Sequence, residues 1–224
     1  VENILEILRD DGLFVIEVHY LLPIVQMNQF DTIYHEHLRH YSLHSLKFLL
    51  ERHGFEIIHA KRILTHAGSI RIYAARKGRH SVKETVASLL HAEKNTILKK
   101  ENLLEFRKKV VLAKLELTAL LHEIKKNGQR VYGIGAPSRG TTLIHYVGID
   151  EGIIDCTLEI KGSHKLNKYV PGTLIPVLEE TKLFEDQPEY VLFFSWQITD
   201  ELMPKLKAKG FRGDFIVPLP KPRV

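Results

Sequence analysis

The spacing of hydrophobic and polar residues changes along this chain and divides it into stretches typical of helices and of strands. Residues 4, 5 and 8 are apolar at the spacing of one helix face, and residues 13–18 form an almost unbroken apolar run. The polar turn between them predicts a helix end, with Gly12 as a left-handed cap. A run as apolar as 13–18 is typical of a parallel strand buried on both faces. Because such a strand needs neighbours and none precedes it here, we expect the chain to be part of a longer protein.

The rest of the first 78 residues continues this α/β pattern around a polar segment at 30–40. Ser42 is the expected N-cap of the helix that follows this segment, and Gly54 is its expected terminator. The pattern predicts helices at 21–28 and 43–53, and strands at 55–64 and 69–76 that are joined as a hairpin.

The centre of the chain is helical, and the end alternates again. Apolar residues between 81 and 127 repeat at alternating steps of three and four, with a break predicted near Asn95. From 129 onward the pattern predicts strands at 130–133, 153–158, 190–194 and 215–217, and helices at 141–146, around 178–183, and at 199–209. This alternation predicts an α/β fold with a small, Rossmann-like parallel sheet at the C-terminal end.

Composition removes several classes of protein. Hydrophobic residues make up 44% and charged residues 26% of the 224 residues, which is typical of a soluble globular protein, and we expect a cytoplasmic one. The net charge of +5 is too small and too dispersed to indicate nucleic-acid binding. A single cysteine, Cys156, excludes an internal disulfide and a multi-cysteine zinc site. No apolar run approaches the ~18 residues of a membrane span.

The densest group of chemically active side chains lies in the polar segment. Tyr34, His35, Glu36 and His37 are consecutive. A histidine beside a carboxylate can act as a general base near neutral pH, because the carboxylate stabilises the imidazolium. On an extended segment, Tyr34 and Glu36 would share one side and the two histidines the other.

Two other interpretations of this segment remain open. A zincin site needs His-Glu-x-x-His, but Arg39 stands where the second histidine should be. His37, His40 and His44 could share a helix face, although no carboxylate at suitable spacing completes a metal site, so we predict no metal. These residues could also simply cap the helix that follows.

A glycine-rich turn at 131–140 is the second candidate. Gly133 and Gly135 lie between a predicted strand and helix, where backbone N–H groups can approach a phosphate. Ser138 stands where a dinucleotide fingerprint has its third glycine, and Glu159 is at the distance of its acidic residue. Arg139 offers a ligand for phosphate or carboxylate. A purely structural tight turn explains the same pattern.

In this order, the segments resemble the sugar C-methyltransferases, which transfer a methyl group from S-adenosylmethionine to nucleotide-linked deoxysugars. Tyr-His-Glu-His at 34–37 and Gly-Ala-Pro at 135–137 are the most specific matches. The matching segments are 11–20, 30–38, 66–71, 132–143, 169–173 and 190–196.

The resemblance implies a fold, a reaction and roles for residues. Residues 1–78 would be the second half of a methyltransferase domain with a partial class I sheet, 79–128 a helical connector, and 129–224 a Rossmann-like C-terminal domain. His37 would remove a proton beside a sugar keto group, with Tyr34 and Glu36 as its neighbours. From the residues themselves, we expect the nucleotide-sugar to bind to Gly135, Ser138, Arg139, His66 and Arg71.

The resemblance also implies that the sequence lacks parts of the enzyme, and two alternative functions stay open. The family's donor-binding glycine loop and zinc-binding cysteines have no counterpart in this sequence, so we expect the chain alone to be inactive and to bind S-adenosylmethionine poorly. Gly133, Gly135 and Glu159 would suit an NAD(P)-dependent oxidoreductase instead. A non-catalytic module that binds a nucleotide-sugar is the other alternative. We expect a small-molecule partner, and neither nucleic acid nor a membrane.

Overall fold

The computed structural model describes residues 1–224, except for the side chain of His66. The described residues form two compact units, one of residues 1–27 and 38–107 and the other of residues 28–37 and 108–224. The helices are α1 Glu2–Ile7, α2 Leu21–Gln26, α3 Leu43–Glu51, α4 Glu84–Asn95, α5 Lys100–Lys126, α6 Ser138–Val147, α7 Thr181–Asp186 and α8 Thr199–Ala208. The strands are β1 Phe14–His19, β2 Phe55–Ile63, β3 Ser69–Arg76, β4 Val131–Ile134, β5 Cys156–Glu159, β6 Val177–Glu179, β7 Tyr190–Phe193 and β8 Asp214–Ile216.

The first unit contains an antiparallel sheet in the order β1-β3-β2. The predicted hairpin is confirmed as β2 and β3, which pair antiparallel. The prediction that 13–18 is a parallel strand is wrong, because β1 pairs antiparallel with β3. Its burial alternates, with Phe14, Ile16 and Val18 turned toward the core while Val15 is 49% exposed. The apolar residues on both faces of β1 therefore did not predict whether its partner strand is parallel or antiparallel.

The boundaries of the first unit's helices follow local rules with one exception. Ser42 caps α3 in a reciprocal capping box with Ser45, and Gly54 follows the helix with φ +79°, as predicted. The predicted left-handed cap at Gly12 is wrong, since α1 ends at Ile7 and Gly12 is not in a positive-φ conformation. A Cβ at Gly12 would lie 2.9 Å from Leu8 Cδ1, so this glycine permits close packing instead.

A buried carboxylate joins α4 to the start of α3. Glu93 has no solvent exposure, and its oxygens accept from the backbone N–H groups of Leu43 at 2.5 Å and His44 at 3.0 Å. The second oxygen also lies 2.5 Å from Nδ1 of His44. These amides belong to the first turn of α3, where the helix itself supplies no acceptors. Glu93 thus replaces water at the N-terminus of a helix that packs on the core.

The second unit contains a parallel sheet, as predicted. Among the described residues its strands follow the order β6-β5-β4-β7-β8, and every neighbouring pair is parallel. The mixed α/β class and the Rossmann-like character of the C-terminal part are thereby confirmed. The helix expected around 178–183 is partly wrong, because β6 occupies its first residues and α7 begins only at Thr181. A three-residue strand is too short to show a period in the sequence.

The central helices also agree with the sequence. The break predicted near Asn95 is confirmed, because α4 ends there and α5 begins at Lys100. The buried face of α5 within the second unit comprises Ala113, Leu117, Leu121 and Ile124.

Removal of the Glu93 carboxylate should destabilise the first unit. Glu93→Ala leaves two buried amide donors without an acceptor, so we expect the free energy of unfolding to fall by about 3 kcal/mol. Urea unfolding followed by circular dichroism measures this change. Lys94→Ala, an exposed change at the next position of α4, is the matched control and should have little effect. Equal urea midpoints for Glu93→Ala and Lys94→Ala would contradict the role of Glu93 as the cap of α3.

Cys156 offers a test of the second unit's sheet. Burial, followed by the charge of Asp155, raises the pKa of this thiol from 9.0 to about 12. Since the folded state keeps the proton to higher pH than the unfolded chain, this group's contribution to stability falls as pH rises above about 9. At pH 8, we expect Ellman's reagent to label the native chain at least about 100-fold more slowly than the urea-unfolded chain. Comparable rates would mean that the strand is not buried.

Candidate functional site

Asp31 anchors the polar segment within the second unit. Its carboxylate is almost completely buried and forms a two-point ion pair with Arg139 at the start of α6. Arg139 Nε donates to Asp31 Oδ2 and Nη2 donates to Oδ1, both at 2.8 Å. The indole N–H of Trp196 also donates to Oδ2 at 2.8 Å. In the amide orientation that satisfies its neighbours, the oxygen of Gln197 accepts from Arg139 Nη1 at 2.8 Å.

Further contacts hold the residues on either side of Asp31. Thr142 Oγ1, on α6, donates to the carbonyl of Ile33 at 3.1 Å. The ring of Phe30 packs on that of Tyr146 with centroids 5.0 Å apart. Asn28 Nδ2 donates to the carbonyl of Pro220 at 3.2 Å. Residues 28–33 are thus bound to α6 and the C-terminal tail.

The next four residues form a turn. The N–H of His37 donates to the carbonyl of Tyr34 at 3.0 Å, and their rings meet edge to face with centroids 4.7 Å apart. The expectation that these two side chains lie on opposite sides is wrong, because the segment is not extended. Their immediate neighbours are more exposed, with side-chain exposures of 82% for His35 and 61% for Glu36.

Electrostatics keep the phenol of Tyr34 neutral. Burial raises the pKa of Tyr34, and the negative charges of Glu36 and Asp31 raise it further, against the opposing effect of Arg139. Near neutral pH Tyr34 therefore carries its proton and can donate a hydrogen bond. The turn places the ring of Tyr34 edge to face with the imidazole of His37.

The glycine turn after β4 is tightly packed, and its first amides are already bonded. A Cβ at Gly133 would lie 2.5 Å from Phe194 Cε2, and Gly135 has φ +81°. The N–H of Gly135 donates to the carbonyl of Leu158 at 2.8 Å. The N–H of Ala136 donates to Glu159 Oε1 at 2.7 Å. Glu159 is thus engaged by the turn itself, which disfavours the ribose-binding role of the oxidoreductase alternative.

A cavity of about 280 Å³ opens beside this turn. Gly135 and Ser138 line it, but Arg139 does not. The other side is lined by His164, Lys165, Lys168 and Tyr169, which sequence reasoning did not select. The sequence feature that could have indicated these residues is the accumulation of basic residues in the loop after β5. This loop follows the carboxyl end of a parallel strand, where α/β proteins bind ligands.

The two lysines of this cavity differ in their surroundings. Lys165 Nζ donates to the carbonyl of Ala136 at 2.7 Å and lies 3.7 Å from Glu159 Oε1, so its charge is balanced. No ion pair of Lys168 is found among the described side chains, and the residue is exposed. Lys168 therefore supplies a cationic group that a negatively charged ligand can use.

The remaining candidate residues lie in the first unit. Arg71, on β3, donates to Glu17 on β1 from Nε at 2.9 Å and from Nη2 at 2.6 Å. The side chain of His66 lies outside the described residues. Thus Tyr34, Glu36, His37, Gly135, Ser138 and Arg139 share the second unit, whereas Arg71 and His66 belong to the first.

The described residues contain no helix with the length and apolarity needed to cross a membrane. In that same part of the chain, no three side chains of His, Cys, Asp or Glu converge as ligands for a metal ion.

Comparison with known proteins assigns the chain to a family. Residues 64–220 match the model of the C-methyltransferase C-terminal domain, and the chain belongs to that family. This membership confirms the resemblance to C-methyltransferases. The chain is also similar to C-methyltransferase NovU of Streptomyces niveus, with 33% identity over 225 residues. The match covers 97% of this chain and 52% of NovU, so the chain spans about half the length of this curated relative.

Proposed function

We propose that this chain is the acceptor-binding part of an S-adenosylmethionine-dependent enzyme that methylates a carbon beside the keto group of a nucleotide-linked sugar. The observation that carries the proposal is the turn that brings Tyr34 and His37 together within the same compact unit as the basic cavity. Family membership supports the reaction class.

Methylation at carbon requires a base, because the C–H bond must first release its electron pair. In the proposed reaction a ring nitrogen of His37 takes the proton from the carbon beside the keto group, and the electron pair forms an enolate. The neutral phenol of Tyr34 donates a hydrogen bond that orients the imidazole or the substrate oxygen. Glu36 adds negative charge that favours the imidazolium once it has formed.

The methyl donor does not fit the glycine turn of this chain. The N–H groups of Gly135 and Ala136 are bonded within the protein, and Pro137 has none, so the turn offers no continuous run of free backbone donors to the adenosyl and methionyl groups of the donor. When bound, S-adenosylmethionine supplies a methyl group on a sulfonium that a carbon nucleophile can attack. We propose that residues outside this sequence bind it, and that this chain alone does not catalyse transfer.

The cavity beside α6 suits the nucleoside diphosphate of the acceptor. Lys168 and His164 offer charge and hydrogen bonds to phosphate oxygens, and Ser138 opens α6, where the helix dipole favours an anion. Tyr169 and the ring of Phe194 provide apolar surface for a sugar or base. The basic and aromatic lining supports a phosphate-bearing organic ligand.

The role of His37 is tested in the complete enzyme that contains this sequence. With a panel of nucleotide-linked keto sugars, His37→Ala should lower kcat by about 100- to 10,000-fold, because the general base is lost, while KM changes little. Exchange of the substrate's α-hydrogen with D₂O in the absence of donor should fall in parallel. His35→Ala, a change at an exposed position of the same turn, is the control and should retain activity. Unchanged transfer by His37→Ala would remove His37 from the mechanism.

The acceptor cavity is tested with the 224-residue chain itself. Calorimetric titration with ADP, GDP, UDP and dTDP should detect binding of at least one, and Lys168→Ala should weaken it by about tenfold through loss of a charge-assisted hydrogen bond. Lys161→Ala, in the same loop but outside the cavity, is the matched control. Equal weakening by both variants would indicate general electrostatic attraction rather than a site.

A further inference from the structure

The two-point ion pair between Asp31 and Arg139 takes no part in the proton transfer proposed above, yet it is the most buried Arg–carboxylate pair among the described residues. The side chains are 1% and 13% exposed, respectively. Burial of such a pair removes both charges from water, and an apolar pair of similar volume is often at least as stable. Its presence therefore calls for an explanation other than stability.

Arg139 is not available as a ligand for the acceptor. Its Nε and Nη2 donate to Asp31, and Nη1 faces the amide oxygen of Gln197. It does not line the cavity, although the preceding residue, Ser138, does. The expected phosphate contact at Arg139 is thus replaced by a contact with the segment that carries the candidate base.

Short-range backbone hydrogen bonds constrain the residues around Asp31 and between it and that base. The N–H of Thr32 donates to the carbonyl of Gln29 at 3.2 Å, and the N–H of Ile33 donates to that of Phe30 at 3.2 Å. The N–H of Tyr34 then donates to the carbonyl of Thr32 at 3.1 Å, and the turn to His37 follows. Consecutive tight turns leave little freedom between an anchored Asp31 and the imidazole.

We propose that the Asp31–Arg139 pair, with Trp196 as its third member, is a positioning device that fixes the Tyr34–His37 turn relative to the acceptor cavity. The inference rests on the proposed function for its catalytic consequence. Asp31 holds the base segment, and Arg139 belongs to the helix whose first residue lines the cavity. The pair therefore sets the distance between the base and the bound acceptor inside one compact unit.

Asp31→Asn tests the anchor in the 224-residue chain without any ligand. The substitution keeps the size of the side chain but removes its charge. Trp196, the only tryptophan of the sequence, loses a carboxylate acceptor, so its fluorescence emission should shift. Amide hydrogen exchange at 32–37 should accelerate, while the strands of the parallel sheet keep their protection.

Two further variants extend the test, and the first of them keeps it decisive if Asp31→Asn folds poorly. Arg139→Lys retains the charge but lacks the planar fork, and should produce a smaller change of the same kind. The double variant Asp31→Asn with Arg139→Gln should lose no more protection at 32–37 than Asp31→Asn alone, because the pair acts as a unit.

A matched control separates positioning from general destabilisation. Arg130 forms an ion pair with Glu189 in the same unit, with Nη2 3.3 Å from Oε1. Arg130→Gln should lower stability without changing Trp196 emission or exchange at 32–37.

In the complete enzyme, Asp31→Asn should reduce kcat by up to about 100-fold through misplacement of the base, with KM for the acceptor nearly unchanged. An unchanged kcat in a wild-type-active enzyme would overturn the positioning role. If Asp31→Asn folds but leaves Trp196 emission and amide exchange at 32–37 unchanged, Asp31 does not anchor the segment. If the wild-type enzyme transfers no methyl group, the proposed function fails, while the emission and exchange measurements still decide the anchor.

Discussion

A buried carboxylate has to be neutralised and hydrogen-bonded, and Asp31 imposes this constraint on the second unit. Arg139 supplies the charge, and Trp196 supplies a further donor. Residues 28–37 lie between α2 and α3 in the sequence, yet they belong to the unit built mainly from residues 108–224. The ion pair, the Thr142 hydrogen bond and the contact between the tilted rings of Phe30 and Tyr146 together explain why this short segment packs there.

The first unit has its own buried carboxylate, Glu93. Glu93 holds the first amides of α3 within the first unit, as Asp31 holds the base segment within the second. Within the second unit, the stretch that contains Tyr34 and His37 is preceded by the buried ion pair of Asp31. Such an anchor would benefit the proposed general base, because small displacements of a reacting group are costly in rate.

The glycine turn illustrates how one pattern can serve another purpose. Gly133 and Gly135 match the start of a dinucleotide fingerprint, but here they permit close approach of Phe194 and a positive φ. The acidic residue at the expected spacing, Glu159, bonds to the turn and balances Lys165. The turn thus serves as a wall of the cavity, which Lys168 and His164 also line.

Local pattern was sufficient for most of the elements and for the family. The cap at Ser42, the left-handed Gly54, the break at Asn95 and the parallel C-terminal sheet depend on neighbouring residues and on periodicity, which a sequence displays directly. Strand direction at β1, the partner of Arg139 and the basic wall of the cavity depend on contacts between distant segments, such as 31 with 139 and 196. Such contacts are selected by the free energy of burying charge and apolar surface in the whole fold. The sequence alone determined which groups could perform the chemistry, and only the tertiary structure decided which of them are held together.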